Sequence, residues 1–135
     1  MTEKSDAPRD WYSEDMATRR SVLGAAYVDR TQDARTDFDT PFQRLITESA
    51  WGHVWSRPNI TKRERSMITL ALLAALGQWD GLALHPRATA NTGASAEDIR
   101  EAMLHVGIYA GVPAANHAMK IVKQTLAEMK ASEGK

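Results

Sequence analysis

The stretch TKRERSMITLALLAAL, residues 61–76, decides the fold. Thr61 and Glu64 have the spacing of a capping box, in which two side chains accept hydrogen bonds from the first backbone N–H groups of a helix. The following residues, 67–76, are apolar nearly all the way round a helical repeat, with Thr69 as the exception. Because a helix that is apolar on every side belongs in the interior, we expect this one at the centre of the core.

Similar signals on both sides of this stretch predict further helices. Ser13, followed by acidic residues, has the properties of an N-cap, and Thr40 with Gln43 has the spacing of another capping box, with proline at the first helical position. The predicted helices span residues 13–28, 40–50, 61–76, 79–91, 95–110 and 113–129. No segment alternates between polar and apolar residues as a strand would. The sequence therefore predicts an all-α fold of about six helices.

Length and charge limit the classes of function. The chain has 135 residues, which fits one domain, and we expect residues 11–135 to form it behind a flexible tail at residues 1–10. Its 17 basic and 17 acidic residues leave no net charge, so it lacks the basic excess of nucleic-acid binders. The first ten residues are polar, unlike a signal peptide, and this predicts a cytoplasmic location.

Two absences exclude further classes. The sequence has no cysteine, which rules out disulfides, thiolate metal sites and thiol catalysis. The longest apolar run, residues 67–76, is about half of the ~20 residues that cross a bilayer, so no membrane span is expected. Four histidines remain as possible metal ligands, but none has a tight ligand spacing to another. We predict no metal.

The segment at residues 51–58, WGHVWSRP, mixes aromatic and polar residues with helix breakers. That composition is typical of a structured loop that carries functional side chains. Two of the other histidines have less specific settings. His105 shares a helix face with Tyr109, which favours packing between them, and His117 lies on a peripheral stretch.

Five short motifs occur in the order and spacing of one known family. They are RRSVLG at 19–24, AWGHVWSRP at 50–58, RSMITLALL at 65–73, LALHPRA at 82–88 and IYAGVPAAN at 108–116. Through these motifs, nearly all of the chain after residue 10 resembles the carboxymuconolactone decarboxylase family. The resemblance implies the helical fold of the alkyl hydroperoxidase D-like superfamily, with protomers assembled as trimers or hexamers.

Other members of that superfamily are disulfide reductases with a Cys-x-x-Cys motif and a histidine four residues further on. Counted back from His85, the two cysteine positions hold Gln78 and Gly81, so that chemistry is excluded here. A second departure is Pro86, since proline inside a helix removes a hydrogen bond and can introduce a kink. We expect such a kink beside His85.

The resemblance implies a reaction that needs no cofactor. Its substrate would be 4-carboxymuconolactone, a lactone dicarboxylate of protocatechuate catabolism, and its product 3-oxoadipate enol-lactone. Loss of carbon dioxide leaves an electron pair that is conjugated through the ring to the lactone carbonyl, so the substrate is its own electron sink. The protein must hold two carboxylates, stabilise an oxyanion and supply one proton.

His85 is the first candidate for the proton donor, because it occupies the matched position and an ordinary histidine titrates near neutral pH. Glu48 is expected to orient it or to act as the acid itself. The expected substrate-binding residues are Arg57 and Arg65 for the carboxylates, Ser66 beside them, His53 for the oxyanion, and Trp51 and Trp55, with Trp79 as a further candidate, as walls against water. Each of these residues also has an ordinary structural interpretation, as core or solvated surface.

Two other functions fit the same sequence. One is a decarboxylase or related lyase for another small lactone or β-keto acid. The other is a helical interaction module without catalysis, in which Gly81 and Pro86 have disabled the site. Turnover of the lactone by purified protein would separate the first interpretation from both alternatives.

Overall fold

A computed structural model describes residues 11–133. Over these residues the chain is helical, with connecting turns and no strand. Its α-helices are α1 (Trp11–Leu23), α2 (Ala25–Asp33), α3 (Thr40–Ile46), α4 (Lys62–Ala75), α5 (Trp79–Thr92), α6 (Ala96–Tyr109) and α7 (Val112–Glu133). A π-helix, Thr47–Trp55, continues directly from α3. The all-α prediction is confirmed, with seven α-helices in place of about six. The predicted tail at residues 1–10 lies outside the described residues.

Helices α4 to α7 pack around an apolar core. Each of them contributes buried side chains, which include Leu70 from α4, Leu82 from α5, Met103 from α6 and Val122 from α7. Both capping boxes that hold this part in place are formed as their sequences indicate, at Thr61 with Glu64 and at Ser95 with Asp98. Asp98 also receives two hydrogen bonds from Arg63, at 2.7 and 2.6 Å, which join α6 to the start of α4. We call this part the α4–α7 core.

A second, smaller cluster lies where α1 and the π-helix meet α5. Its buried members are Val22, Trp51, Trp55 and Ala88. Helix α5 contributes to this cluster and to the α4–α7 core, so it separates the two apolar regions and faces both. We call the second region the tryptophan cluster.

The prediction of one helix over residues 13–28 is wrong. The chain breaks at Gly24, whose φ of 94° is one that residues with a Cβ rarely adopt. Two helices result, and α1 already begins at Trp11, so Ser13 lies inside it and is not its cap.

Two further local predictions at the α3 region are also wrong. No side-chain cap forms at the start of α3; Thr40 is its first residue, and its hydroxyl donates to the carbonyl of Thr36 at 2.7 Å. The segment from Trp51 is not a loop as far as Trp55, because it forms the second half of the π-helix. The irregular part begins only at Ser56.

Helix α4 is less enclosed than its composition suggests. Ser66, Leu70 and Ala74 form its buried face, whereas Ile68, Leu72 and Leu76 are 51, 55 and 70% exposed. These three recur every four residues and therefore form one apolar stripe on the outside of this chain. The expectation of a fully central helix is wrong for the single chain.

Candidate active site

His85 lies in the middle of α5, on the side that faces the tryptophan cluster. Its side chain is 6% exposed. Burial lowers the pKa of His85 from its usual 6.5 to about 4, because a charged imidazole loses its water there. Nε2 is buried and has no hydrogen-bond partner in the described structure. An unpaired buried nitrogen is unfavourable in a folded protein, and such groups are often found at functional sites.

One tryptophan lies against this imidazole, and a second lies against the first. The ring of Trp55 lies 5.6 Å from that of His85, between centroids, and the ring of Trp51 lies 5.3 Å from that of Trp55. Both tryptophans are buried, and their role as walls against water stays a prediction. With water kept out, charges that develop beside His85 interact more strongly than they would in solvent.

The π-helix places these tryptophans. Its buried residues are Thr47, Trp51 and Trp55, which share the face toward α1 and α5. Close approach of α1 depends on Gly52, where an added Cβ would lie 2.3 Å from the carboxyl carbon of Asp15. A larger residue at this position would therefore require the Asp15 side chain to move.

The C-terminal end of the π-helix is tied to its surroundings by hydrogen bonds. The hydroxyl of Ser56 lies 2.7 Å from the Trp51 carbonyl and 2.8 Å from the hydroxyl of Thr18 on α1. The Lys62 ammonium donates to the Trp55 carbonyl at 3.4 Å. Trp55 is thus in contact with His85 through its ring and with a cation through its backbone.

Cationic side chains gather at this end. Arg65 donates from Nη2 to the carbonyl of Arg57 at 2.9 Å, and its Nε is buried without a partner. Arg57 is itself exposed. Together with Lys62, these residues provide three positive charges where the π-helix meets α4. Lys62 was not predicted, because its ordinary place at the start of a capped helix gave no signal of a site.

Glu48 and His53 lie elsewhere. Glu48 forms an ion pair with Arg44 at 2.7 Å, and both Glu48 and the exposed His53 line a cavity of about 320 Å³ between α1 and the π-helix. The cavity is also lined by Glu14 and Asp15, so its carboxylates disfavour an anionic ligand. His85 is not among the side chains that line this cavity, so Glu48 and His53 share a cavity to which the expected proton donor does not contribute.

Ser66 connects two helices. It is fully buried, and its hydroxyl lies 2.8 Å from that of Thr92, which links α4 to α5. Trp79 stacks on His117 at 4.1 Å and packs against the α4–α7 core, on the side of α5 away from the tryptophan cluster.

Helix α5 runs through Pro86 without interruption. The main chain therefore holds His85 inside a continuous helix despite the proline. His105 and Tyr109 stack with their centroids 6.3 Å apart, as their spacing suggested.

No metal site and no membrane span were found over residues 11–133. No group of three or more histidine, aspartate or glutamate side chains there converges as metal ligands. None of the helices in this range combines the length and apolar character that crossing a bilayer requires.

The fold and site define an all-α protein that buries one neutral imidazole under aromatic rings, next to a group of cations. Such a site is suited to proton transfer on a small anion. A model of the carboxymuconolactone decarboxylase family matches residues 40–124, and the chain belongs to that family.

Curated relatives match over most of the chain. The 4-carboxymuconolactone decarboxylase of Acinetobacter baylyi is 39% identical over 118 residues, which cover 87% of this chain and 88% of the relative. Nitrosuccinic acid decarboxylase npaB of Metarhizium robertsii is 39% identical over 130 residues, which cover 93% of this chain and 91% of the relative. A 4-carboxymuconolactone decarboxylase of Pseudomonas putida is 46% identical over 41 residues, 30% of this chain and 85% of the relative.

Proposed function

We propose that this chain is a decarboxylase that converts 4-carboxymuconolactone into 3-oxoadipate enol-lactone without a cofactor. The family and the A. baylyi relative, which is named for this activity and aligns with most of the chain, support the assignment. The structural observation that carries it is the buried His85, whose Nε2 has no partner beneath Trp55.

The reaction requires little from the protein beyond positioning and one proton. The bond between the departing carboxyl group and the ring carbon breaks, and its electron pair moves through the ring double bond to the lactone carbonyl. Carbon dioxide leaves. The resulting furanolate then takes a proton on the carbon beside the carbonyl, which gives the enol-lactone.

His85 is neutral in the empty site, since burial lowers its pKa to about 4. This corrects the expectation of an imidazole that titrates near neutral pH. A bound dianion next to the ring would raise that pKa, because an adjacent negative charge favours the protonated form. On binding, His85 therefore takes up a proton from solvent, and it later gives this proton to the furanolate.

Arg65, Arg57 and Lys62 are the proposed carboxylate ligands. Arg65 keeps an unpaired buried Nε, and guanidinium groups bind carboxylates with two parallel hydrogen bonds. Lys62 contacts the Trp55 carbonyl, and Arg65 contacts the carbonyl of Arg57 two residues further on, so the positive charge lies at the end of the π-helix that carries the Trp55 ring. Glu48 and His53, which face an acidic cavity, have no proposed part in binding the substrate, and Ser66 acts through the packing of α4 on α5.

A second candidate substrate is nitrosuccinate, because the M. robertsii relative matches this chain at the same identity. It is also a small dicarboxylate, and its nitro group can take the electron pair that decarboxylation leaves. Both candidate substrates need bound carboxylates and one proton. The side chains around His85 therefore determine which of the two is preferred.

Turnover of both compounds by the purified protein, treated with a chelator, tests the assignment. Released carbon dioxide and the ultraviolet absorbance of the lactone are followed. We expect kcat/KM for the lactone to exceed that for nitrosuccinate by roughly 10²-fold or more, which a site shaped for one of them can provide. A preference for nitrosuccinate would reverse the substrate assignment. Turnover of neither would favour the noncatalytic module, and dependence on an added divalent ion would contradict a cofactor-free reaction.

We also propose that the chain assembles with copies of itself, as trimers or hexamers. The stripe of Ile68, Leu72 and Leu76 is exposed in the single chain. A second apolar surface borders an apolar groove of about 330 Å³ between α6 and α7, where Ile108 and Val112 are 78 and 69% exposed. Apolar surface of this extent is usually covered by a partner. Light scattering should give a mass three or six times 14.9 kDa; a monomer at micromolar concentration would contradict the proposal.

The cytoplasmic location stays a prediction.

A further inference from the structure

Arg19 is a buried cation that the proposed reaction does not use. It lies on α1 and is 3% exposed. Its Nη1 donates to Thr47 Oγ1 and its Nη2 to Gln43 Oε1, both at 3.1 Å, while its Nε is buried and unpaired. Burial lowers the pKa of Arg19, yet a guanidinium stays charged at neutral pH. A charge held by two neutral oxygens is an unfavourable way to stabilise a fold.

The two acceptors lie on either side of one junction. Thr47 is the first residue of the π-helix and is fully buried, and Gln43 lies one turn earlier in α3. The Thr47 hydroxyl donates its own proton to the main-chain carbonyl of Gln43 at 2.8 Å. Its oxygen is therefore available to accept from Arg19, and the three groups form one network across the junction.

This junction sets the direction of every side chain that follows. A π-helix bonds residues five apart, whereas an α-helix bonds residues four apart, so the point of change fixes the rotation of the later turns. Trp51 and Trp55 share the buried face that begins at Thr47. A small rotation at Thr47 would move the Trp55 ring relative to His85.

We infer that Arg19 is a positioning residue for the decarboxylation. By binding Gln43 and Thr47 it fixes the register in which the π-helix places the Trp55 ring against His85. Its effect on catalysis rests on the proposed function. Its effect on the packing over His85 does not, and the two are measured separately below.

Arg19→Met tests this inference, because it removes the charge and both hydrogen bonds while it keeps a long side chain. Arg20→Met is the matched control: the next residue on α1 is partly exposed and pairs with Asp29 on α2. For Arg19→Met we expect kcat to fall roughly 10- to 100-fold, with little change in KM, since small misplacements near reacting atoms have effects of this size. The pKa of His85, followed by NMR of its imidazole, should rise toward 6.5 as water gains access. Arg20→Met should leave both quantities unchanged.

A folded Arg19→Met variant with the original kcat and the original His85 pKa would overturn the inference. If that variant does not fold, Thr47→Val and Thr47→Ser replace it: the first removes the acceptor and should reproduce both changes, while the second keeps the hydroxyl and should restore normal values. Equal behaviour of the two Thr47 variants would also overturn it. If the unaltered protein decarboxylates neither candidate substrate, the proposed function fails, and the imidazole titration alone decides the role of Arg19.

Discussion

The α4–α7 core and the tryptophan cluster are built by different rules. The apolar members of the α4–α7 core are aliphatic side chains and one methionine, and the buried hydroxyls of Ser66 and Thr125 beside them both have hydrogen-bond partners. Around the tryptophan cluster, by contrast, Arg19, Thr47 and His85 are also buried, and two of these three have unpaired nitrogens. Stability alone would favour apolar residues at such positions. The comparison indicates that one region provides the scaffold and the other gives up stability for the arrangement of a site.

The largest expected effect comes from His85→Gln and separates activity from stability. We expect kcat on the lactone to fall by roughly 10²–10⁴-fold, because an amide can donate a hydrogen bond but cannot take up and deliver the proton. His105→Gln, at an exposed histidine on α6, is the control and should keep normal turnover. Near-normal turnover of His85→Gln would move the proton donor elsewhere, with Glu48 the next residue to test.

Leu70→Ala, in the α4–α7 core, should lower stability and leave activity nearly unchanged. Leu70 is fully buried, and the cavity left by truncation should lower the free energy of unfolding by about 2–5 kcal/mol. Urea titration measures this change. Under conditions where the variant is folded, kcat should stay within a few-fold of normal, because the site lies across α5. A fall in kcat as large as that of His85→Gln would mean that the two regions are not separate.

The low pKa of His85 predicts a pH-dependent difference in stability. In the unfolded chain this imidazole takes up its proton near pH 6.5, and in the folded chain only near pH 4. The contribution of the neutral His85 to the free energy of unfolding is therefore present above pH 6.5. It is lost as the pH falls toward 4, by about 3 kcal/mol in total. Unfolding free energies of the unaltered protein and of His85→Gln, measured across this range, should diverge by that amount. Parallel curves would show that His85 is not desolvated.

The smallest effect compares two helix starts. Thr61 caps α4 at the edge of the core, whereas no side chain caps α3 before the π-helix. Thr61→Ala should therefore lower the free energy of unfolding by about 1 kcal/mol, and Thr40→Ala by less. Thermal melts of both variants measure the difference. An equal or larger loss at Thr40 would show that its bond to Thr36 stabilises α3 as well as a cap would.

The sequence predicted the scaffold better than the site, for physical reasons. Local signals determine α4 to α6: the capping boxes at Thr61 and Ser95 and the glycine at 93 mark helix ends without help from the rest of the chain. The π-helix has no such signal, because it is held by tertiary bonds such as those that Arg19 and Ser56 form between α1 and the π-helix. A local interpretation of residues 51–58 as a loop could not include them.

The candidate site was predicted in part. His85, Trp51 and Trp55 were identified as residues of one site, and they do lie together. Glu48 and His53 precede and follow Trp51 closely in sequence, but a helix directs them to another face, where they line the acidic cavity. The lowered pKa of His85 depends on burial, to which Trp55 from the π-helix contributes, so no local pattern could have predicted it.

The central claim is that substrate binding raises the pKa of His85 and thereby protonates it. Titration of the His85 imidazole by NMR, with and without a bound analogue, tests this claim most directly. The analogue is 4-carboxymuconolactone with its ring double bond reduced, which keeps both carboxylates but has no electron sink. We predict a pKa near 4 in the free protein and a higher pKa in the complex, because the bound carboxylates favour the charged imidazole. A His85 that is already protonated at pH 7 in the free protein, or whose pKa is the same when the analogue is bound, would contradict this mechanism.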